Sequence, residues 1–427
     1  MAGLGTKLWA SGEVVTAAGV NGYLQDQVIG TYASTSARDA AFGGAGEPTL
    51  AEGMFAYTTD TNTLWLYNGS EWVNLLGSDI GTQALSNRNV IINGAMQVAQ
   101  RGTSTASITT ANYYTADRFI FEPSFMGTWT QSIQNDAPTG SGFRKSLKLL
   151  CTTADASPAA SDYILFDQRL EGQNIQQFLK GTASAKSFAL SFWVKSNATG
   201  TYNVELLDND NTRVVTAAYT VDVSGTWEKK TIIFPADTTG AFDNDNASSM
   251  QLNWWLGAGT TFTSGTRDTL WGTVVNADRA VGQTNLAAAT SNYWQVTGVQ
   301  LEAGAVATPF EFEDYGTTLV KCQRYYTKWS GAANDRISLG VPYSTTKALP
   351  VLHLPVSMRT GATSVEYLDL QLEKPGVGSS AVTAVVLSGS STNSFCIDIT
   401  SSSLTAFETR WLQLSSSSGF LAASAEL

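Results

Sequence analysis

The chain has 427 residues, too many for a single hydrophobic core, so we expect roughly two to four domains. Charged residues make up only 14% of the sequence, and uncharged polar residues with 38 glycines take their place, a mixture that favours strands and turns. The net charge is −11 and there is no run of Lys or Arg, which argues against nucleic-acid binding, because neutralising phosphates needs clustered positive charge.

The three cysteines, Cys151, Cys322 and Cys396, lie far apart and predict neither a disulfide framework nor a Cys-x-x-Cys metal site. We interpret them as small buried residues of a protein made in a reducing cytoplasm. The first residues lack the pattern of a signal peptide, and no stretch approaches the ~20 apolar residues of a membrane span. We therefore expect a protein that stays soluble in a cytoplasm or is assembled there into a larger structure.

The first predicted element is a short amphipathic helix over residues 16–30, which Thr16 can cap. Its apolar side, with the tryptophan just before it, needs a partner to be buried. Two alternatives stay open, a contact with another protein or a contact with this chain itself. The residues concerned are Trp9, Val20, Tyr23, Leu24 and Val28.

Residues 31–80 are predicted to form a small β module, in which Ser36 caps a one-turn helix. Two strands follow at 54–57 and 64–67, and a further turn leads into Trp72-Val73. Three strands of this size are only marginally stable alone, so we expect the module to self-associate or to dock on a larger body.

Residues 86–315 are predicted to be one long antiparallel β region. Alternating apolar residues indicate half-buried strands, with Phe188, Leu190 and Phe192 on one face and Met250, Leu252, Trp254 and Leu256 on another. A two-sheet jelly roll fits such a region, since the sequence has no repeat. A short helix over 314–326 then leads into a smaller C-terminal β-sandwich domain, 316–427. The predicted fold class is all-β and multi-domain, with the 1–30 helical segment and the 31–80 module before the jelly roll.

Several segments, taken in order, resemble bacteriophage tail fibres and minor tail proteins with a jelly roll similar to carbohydrate-binding modules. They are residues 11–24, 36–73, 89–96, 100–102, 115–119, 300–304, 308–311, 322–326 and 354–359. The resemblance implies a virion component, commonly a homotrimer, with its N-terminus anchored to other tail proteins. Carbohydrate-binding modules of this kind often hold a structural calcium near the N-G-x-F-E opening. Here Met96-Gln97 replaces Phe-Glu and residues 296–299 lack the usual Asp, so we expect no required metal and no cofactor.

Catalytic chemistry has little support in the sequence. The single histidine, His353, lies in an apolar strand, where a structural role is favoured over a catalytic or zinc-binding one. A polysaccharide-degrading enzyme would need two carboxylates at a fixed separation, and the sequence sets none between residues such as Glu171 and Glu302. We therefore expect a protein that is not an enzyme.

Glycan binding is the more plausible activity, because flat aromatic rings and amide side chains are what sugars contact. The adjacent Trp254 and Trp255 should face opposite sides of a strand, with Trp254 in the core. The candidate sugar platform is Trp255, Asn253, Gln251 and Trp271. Burial of Trp255 at a subunit contact is the favoured alternative.

The sequence thus predicts a homotrimeric tail fibre, located in the virion and assembled in the host cytoplasm. It would attach to a host surface glycan or other receptor, without binding nucleic acid or inserting into a membrane. The alternative is a non-adhesive virion protein, such as a head fibre, a decoration protein or a tail adaptor.

Overall fold

The protein is described by a computed structural model that covers residues 12, 14, 16, 29–42, 49–75 and 87–427. The predicted helix over 16–30 and the anchoring residues fall outside these ranges, namely Trp9, Val20, Tyr23, Leu24 and Val28. The chain forms two compact units, Met1–Leu85 and Ser86–Leu427, and its fold is all-β as predicted.

The first unit holds a four-stranded sheet and one short helix. The elements are β1 (Gly30–Tyr32), α1 (Thr35–Asp39), β2 (Phe55–Thr58), β3 (Thr63–Tyr67) and β4 (Trp72–Asn74). The strands lie in the order β1-β2-β3-β4, with β1 parallel to β2 and the other pairs antiparallel. The predicted hairpin is therefore present, with a parallel strand added at its edge.

The cap of α1 is Ser34 and not Ser36 as predicted. The Ser34 backbone is extended and its Oγ accepts a hydrogen bond from the Ala37 amide at 3.1 Å, whereas Ser36 lies inside the helix. An N-cap residue has to stand outside the helical turn that it caps. The helix begins two residues earlier than the spacing of the polar residues indicates.

The two faces of this small sheet differ in what covers them. On one face, the Arg38 guanidinium lies 4.6 Å from the ring centre of Trp65 and 4.9 Å from that of Trp72. On the other, Phe55 and Val73 both pair with Leu66 and are 39% and 40% exposed. The predicted self-association or docking of this module stays a prediction.

The second unit begins with a two-sheet sandwich. Its elements are β5 (Ser104–Ile108), β6 (Asn112–Tyr113), β7 (Ile120–Ser124), β8 (Thr128–Gln134), β9 (Ser146–Thr153), β10 (Tyr163–Glu171), β11 (Phe188–Ser196), β12 (Gly200–Asp208), β13 (Arg213–Val221), β14 (Glu228–Phe234), β15 (Ser248–Ala258), α2 (Thr260–Thr263), β16 (Gly272–Thr273) and β17 (Tyr293–Ala303). One sheet has the order β16-β13-β12-β15-β10-β7-β6 and the other β14-β11-β17-β9-β8-β5. Single-turn helices lie at Gly172–Asn174, Gln176–Phe178, Asn276–Asp278 and Leu286–Ala288.

Aromatic rings from both sheets fill the sandwich core. The Trp254 ring centre lies 5.5 Å from that of Phe192 on the opposite sheet and 5.9 Å from that of Phe166 on the neighbouring strand. Met250, Leu252, Trp254 and Leu256 all belong to this core, while Trp255 belongs to a separate cluster on the other face of β15. The alternation predicted for this strand is confirmed.

The C-terminal part follows with α3 (Tyr315–Gln323), β18 (Tyr326–Ser330), β19 (Arg336–Pro342), β20 (Lys347–His353), β21 (Ser364–Leu368), β22 (Leu370–Lys374), β23 (Gly378–Ser390), β24 (Ser394–Ser401), β25 (Arg410–Leu414) and β26 (Phe420–Ser424). Strands β19-β20-β24-β23-β22-β25 close into a barrel, and β18-β26-β21 form a separate sheet. The sequence predicted a small sandwich instead. Closure removes unpaired strand edges, but it depends on β25 pairing with both β19 and β22, which alternation along one strand does not reveal.

Both predicted domains, 86–315 and 316–427, lie within the second compact unit. Each has its own hydrophobic cluster, one between the two sheets of the sandwich and one inside the barrel. The boundaries between the predicted domains stay predictions.

Candidate functional site

The predicted sugar platform lies on the outer face of β15, where a segment of the same chain covers it. Trp255 is 1% exposed, and its ring centre lies 5.1 Å from that of Phe262 and 5.0 Å from the Arg279 guanidinium. Both partners come from the segment that follows β15, residues 259–283, which turns back over the strand. Trp255 is therefore buried within one chain, and its ring offers no open face to a sugar.

Asn253 is buried under the same segment in a charged cluster. Its Nδ2 donates to Glu205 Oε1 at 2.9 Å, and Arg279 donates to both Glu205 oxygens at 2.5 and 3.1 Å. Asn253 Oδ1 has no hydrogen-bond partner in the described part of the chain. The cluster holds residues 259–283 against the sheet, and Gln251, farther along β15, is half-buried.

Trp271 does not join this face. Its ring packs against Phe188 of the opposite sheet with centres 5.6 Å apart, and its Nε1 donates to the Pro235 carbonyl at 2.8 Å. It precedes the edge strand β16 and turns toward the sandwich core, away from Gln251. The sequence predicts Trp271 beside Trp255, and this prediction is wrong, because β13 and β12 separate β16 from β15 in the sheet.

Four segments that carry the family resemblance meet at the junction between the sandwich and the C-terminal part. Gln100 Nε2 donates to the Tyr326 carbonyl at 2.7 Å, and the Gln100 amide donates to Asp117 Oδ1 at 2.9 Å. The Arg101 guanidinium lies 3.6 Å from the ring centre of Tyr326. Residues 100–102, 115–119 and 322–326 are thus in direct contact.

Arg118 is the centre of this junction. It is 1% exposed, forms an ion pair with Glu426 and donates from Nη2 to the Arg169 carbonyl at 2.7 Å. Its guanidinium lies 3.5 Å from the ring centre of Tyr325. One arginine of the sandwich therefore binds the end of the chain and the start of the C-terminal part.

Two further arginines complete the junction. Arg324 donates to both oxygens of Glu171 at 2.9 and 2.7 Å, a bidentate pair with defined geometry. The Arg359 amide donates to the Arg324 carbonyl at 3.0 Å, and its side chain donates to the carbonyls of Ala425 and Glu426. The segment 354–359 thus also ends here, and these segments join two cores.

The junction contains a carboxyl group whose titration should affect stability. Burial raises the pKa of Asp117 from 3.8 to about 6, against the lowering effect of its Gln100 hydrogen bonds and the Arg101 charge. Between these two values the unfolded chain loses a proton that the folded chain keeps. The free energy of unfolding therefore falls as pH rises through this window, by about 1.4 kcal/mol for each unit of pKa difference.

We expect Asp117→Asn to reduce this loss of stability between about pH 4 and about pH 6.5. Urea unfolding of both proteins at these two pH values measures it. Burial also raises the pKa of Asp167. The free energy of unfolding of both proteins therefore falls with pH for this second reason too, and this contribution cancels in the comparison. An unchanged pH dependence in the variant would show that Asp117 does not titrate in this range.

A cleft of about 540 Å³ opens beside this junction. It lies between residues 87–92, the single-turn helices after β10, and α3 with the residues that follow it. Its size suits a small ligand such as a short oligosaccharide. Five amide side chains line it, those of Asn87, Asn89, Gln173, Asn174 and Gln177. We call it the amide cleft.

The charges in the amide cleft are compensated. Lys321 pairs with Glu313 and Arg324 with Glu171, so the walls have little net charge. Asn89 forms hydrogen bonds with backbone groups, whereas Asn174 is exposed, and Gln177 Nε2 makes a single long contact of 3.5 Å within the described residues, to the Arg88 carbonyl. The groups left for a ligand are amide donors and acceptors, which suit hydroxyl groups.

The sequence did not predict this cleft, because its residues come from three distant segments. A local signal is present in residues 173–177, where four of the five side chains between two strands are amides. Amides in a connection between strands are also common in turns, so this signal is weak without the fold.

Two of the residues considered for catalysis, His353 and Glu302, lie in separate parts of the fold. His353 is exposed at the end of β20 opposite Ser394, and Glu302 accepts hydrogen bonds from Thr308. Within residues 29–42, 49–75 and 87–427, no group of three or more His, Cys, Asp or Glu is placed to hold a metal ion. No helix in these ranges is long and apolar enough to cross a membrane.

No protein-family model and no curated protein sequence match the chain. Among solved structures, it is similar to the enzymatically active domain of tailspike protein 4 from bacteriophage CBA120, at 15% identity and a TM-score of 0.28, over 51% of this chain and 21% of that one. The chain thus spans about a fifth of that structure's length.

Carbohydrate-binding modules are also among the similar structures. A family 4 module is 14% identical with a TM-score of 0.25, over 49% of this chain and 97% of that one. A family 11 module from Clostridium thermocellum, in complex with a β-1,3-1,4-mixed-linked tetrasaccharide, is 13% identical with a TM-score of 0.24, over 48% and 98%.

Proposed function

We propose that this chain is a structural protein of a bacteriophage particle, a tail fibre that mediates attachment to the host cell, and that it is not an enzyme. The observation that carries the proposal is the junction around Arg118. Four of the segments on which the resemblance to phage fibres depends meet there, although they are separated in sequence by up to about 250 residues. They act as one structural unit that joins the sandwich to the C-terminal part.

We further propose that the amide cleft binds a glycan of the host surface. Its volume, its low net charge and its free amide groups favour a neutral, hydroxyl-rich ligand. This assignment replaces the platform around Trp255, whose ring is covered by residues 259–283. Weak single contacts would suffice in a fibre, because several copies acting together raise the avidity.

The glycan proposal is tested by replacing both Asn174 and Gln177 with alanine. Loss of about two hydrogen bonds to the ligand should weaken binding roughly tenfold or more. The measurement is binding of the purified protein to an array of neutral and acidic oligosaccharides, followed by titration of the best ligand. Gln251→Ala, an amide outside the cleft, is the matched control and should bind as the unchanged protein does.

Two outcomes would overturn this assignment. Equal loss in the Gln251→Ala control would place the binding elsewhere, and an unchanged affinity in the double variant would exclude the amide cleft. If the protein bound no oligosaccharide and did not slow phage adsorption to host cells, the non-adhesive structural role would be the better explanation.

We also propose that the fibre is a homotrimer in which the barrels contact one another. Val341 and Leu349 pair directly on the outer face of the barrel, and with Leu339 and Val351 they are 39–49% exposed. Contiguous exposed apolar side chains of this kind are typical of protein contacts. The resemblance to trimeric fibres makes a second copy the expected partner, and a monomer in sedimentation at micromolar concentration would contradict it.

A further inference from the structure

A second groove, of about 680 Å³, runs along the open edge of the sandwich. The seven-stranded sheet ends there at β13, because β16 pairs only with Arg213 and Val214. The six-stranded sheet ends at β14, so two edge strands face each other across the groove. We call it the edge groove, and it is lined by Thr201 of β12 and by residues of β13, β14 and the segment 267–282.

The edge groove concentrates positive charge on a protein whose net charge is −11. Its cations are Lys229, Lys230 and Arg267. Lys230 is compensated, since it lies 2.6 Å from Glu228 and 3.3 Å from Asp222. Neither Lys229 nor Arg267 has a carboxylate within ion-pair distance in the part of the chain that the structure describes. Two uncompensated cations therefore line one groove.

Arg267 is held in place by neutral groups. Its Nε donates to Asn203 Oδ1 at 2.8 Å and its Nη2 to the Val281 carbonyl at 2.5 Å. Asn203 is fixed in turn by Gln283, whose Oε1 accepts from both the backbone and the side chain of Asn203. In contrast, Arg213 and Arg279 of the same sandwich each pair with a carboxylate. The Arg267 guanidinium is thus oriented while its charge stays available.

The rest of the groove suits a sugar ring. Thr201 and Thr231 supply hydroxyl groups, and Ile232, Ala218 and Val281 supply apolar surface for ring C–H groups. Acid groups on a saccharide prefer arginine and lysine as partners, because these hydrogen bonds are charge-assisted. We propose that the edge groove binds an acidic oligosaccharide, with its oxyanion group held by Arg267 and Lys229. This site is separate from the amide cleft and does not depend on it.

The proposal is tested with the full chain and three probes of equal length. These are an oligogalacturonate, its carboxyl-reduced neutral counterpart and a sulfated oligosaccharide. We expect binding of at least one acidic probe, an affinity that falls with added salt, and at least tenfold weaker binding of the neutral probe. The two acidic probes distinguish a carboxylate from a sulfate as the recognised group.

The variants are Lys229→Gln, Arg267→Gln and a matched control that also loses one positive charge on the sandwich, Arg144→Gln, at an exposed position. Lys229→Gln and Arg267→Gln should each weaken binding of the acidic probe roughly five- to tenfold, and the control should not. Lys229 is exposed, so its variant tests the site without affecting folding. Thermal unfolding of Arg267→Gln checks that its fold is intact.

Three outcomes would overturn the proposal. They are equal binding of the neutral probe, an equal loss in the control variant, and no binding of either acidic probe. The double variant of Asn174 and Gln177 should bind the acidic probe normally. If this variant no longer bound the array ligand but still bound the acidic probe, the two sites would be shown to be separate. Failure of one proposal is therefore distinguishable from failure of the other.

Discussion

Replacing Arg118 with alanine lowers the free energy of unfolding by about 3–5 kcal/mol. The guanidinium is 1% exposed and is the ion-pair partner of Glu426, whose side chain is only 7% exposed. Its removal leaves a buried carboxylate whose remaining ion-pair partner among the described residues is Arg101, at 3.3 Å, and leaves the Arg169 carbonyl without its Arg118 donor. Urea unfolding at neutral pH measures the change.

The control for this prediction is Arg144→Ala, which removes an exposed arginine and should change the free energy of unfolding by less than about 0.5 kcal/mol. A second variant, Arg118→Met with Glu426→Gln, removes both charges and should recover part of the loss. If Arg118→Ala were as stable as Arg144→Ala, the junction would not hold the two cores together.

The second large effect is expected from Trp254→Ala, again a loss of about 3–5 kcal/mol in the free energy of unfolding. The Trp254 ring is fully buried and contacts Phe166, Phe192 and Trp294, so the substitution leaves a cavity at the centre of the sandwich. Thermal and urea unfolding measure the change, and both should show a destabilised protein.

Trp193→Ala is the matched control, because this tryptophan is half-buried on the outer face of β11. We expect it to cost less than half of the loss for Trp254→Ala, since less apolar area returns to water. Equal losses for the two variants would mean that the sandwich core does not dominate the stability of this unit.

The strand content could be predicted because the pattern that specifies it is local. Alternation at every second residue placed Trp254 in the core and Trp255 on the opposite face, and both placements hold in the structure. In the motif at 89–96, the glycine at position 94 is required for a steric reason. A side chain at Gly94 would place its Cβ 2.0 Å from the Val299 carbonyl oxygen, so only glycine allows this segment to pack on β17.

The candidate sites could not be predicted in the same way. Alternation indicates which side of a strand a residue faces, but not what covers that side. Trp255 faces outward and is nevertheless buried, because Phe262 and Arg279 return over it after β15. The amide cleft combines residues from three segments of the chain and the edge groove residues from four, and no local spacing connects them.

The sequence by itself determined the all-β fold class, the hairpin of the small module and the side of β15 on which Trp254 lies, because each depends on near neighbours along the chain. Tertiary structure alone decided that the C-terminal strands close into a barrel and that four of the segments that resemble phage fibres meet around Arg118. It also decided that Trp255 is covered, while Lys229 and Arg267 have no carboxylate within ion-pair distance among residues 29–42, 49–75 and 87–427. Burial and charge compensation depend on groups brought together from distant parts of the chain.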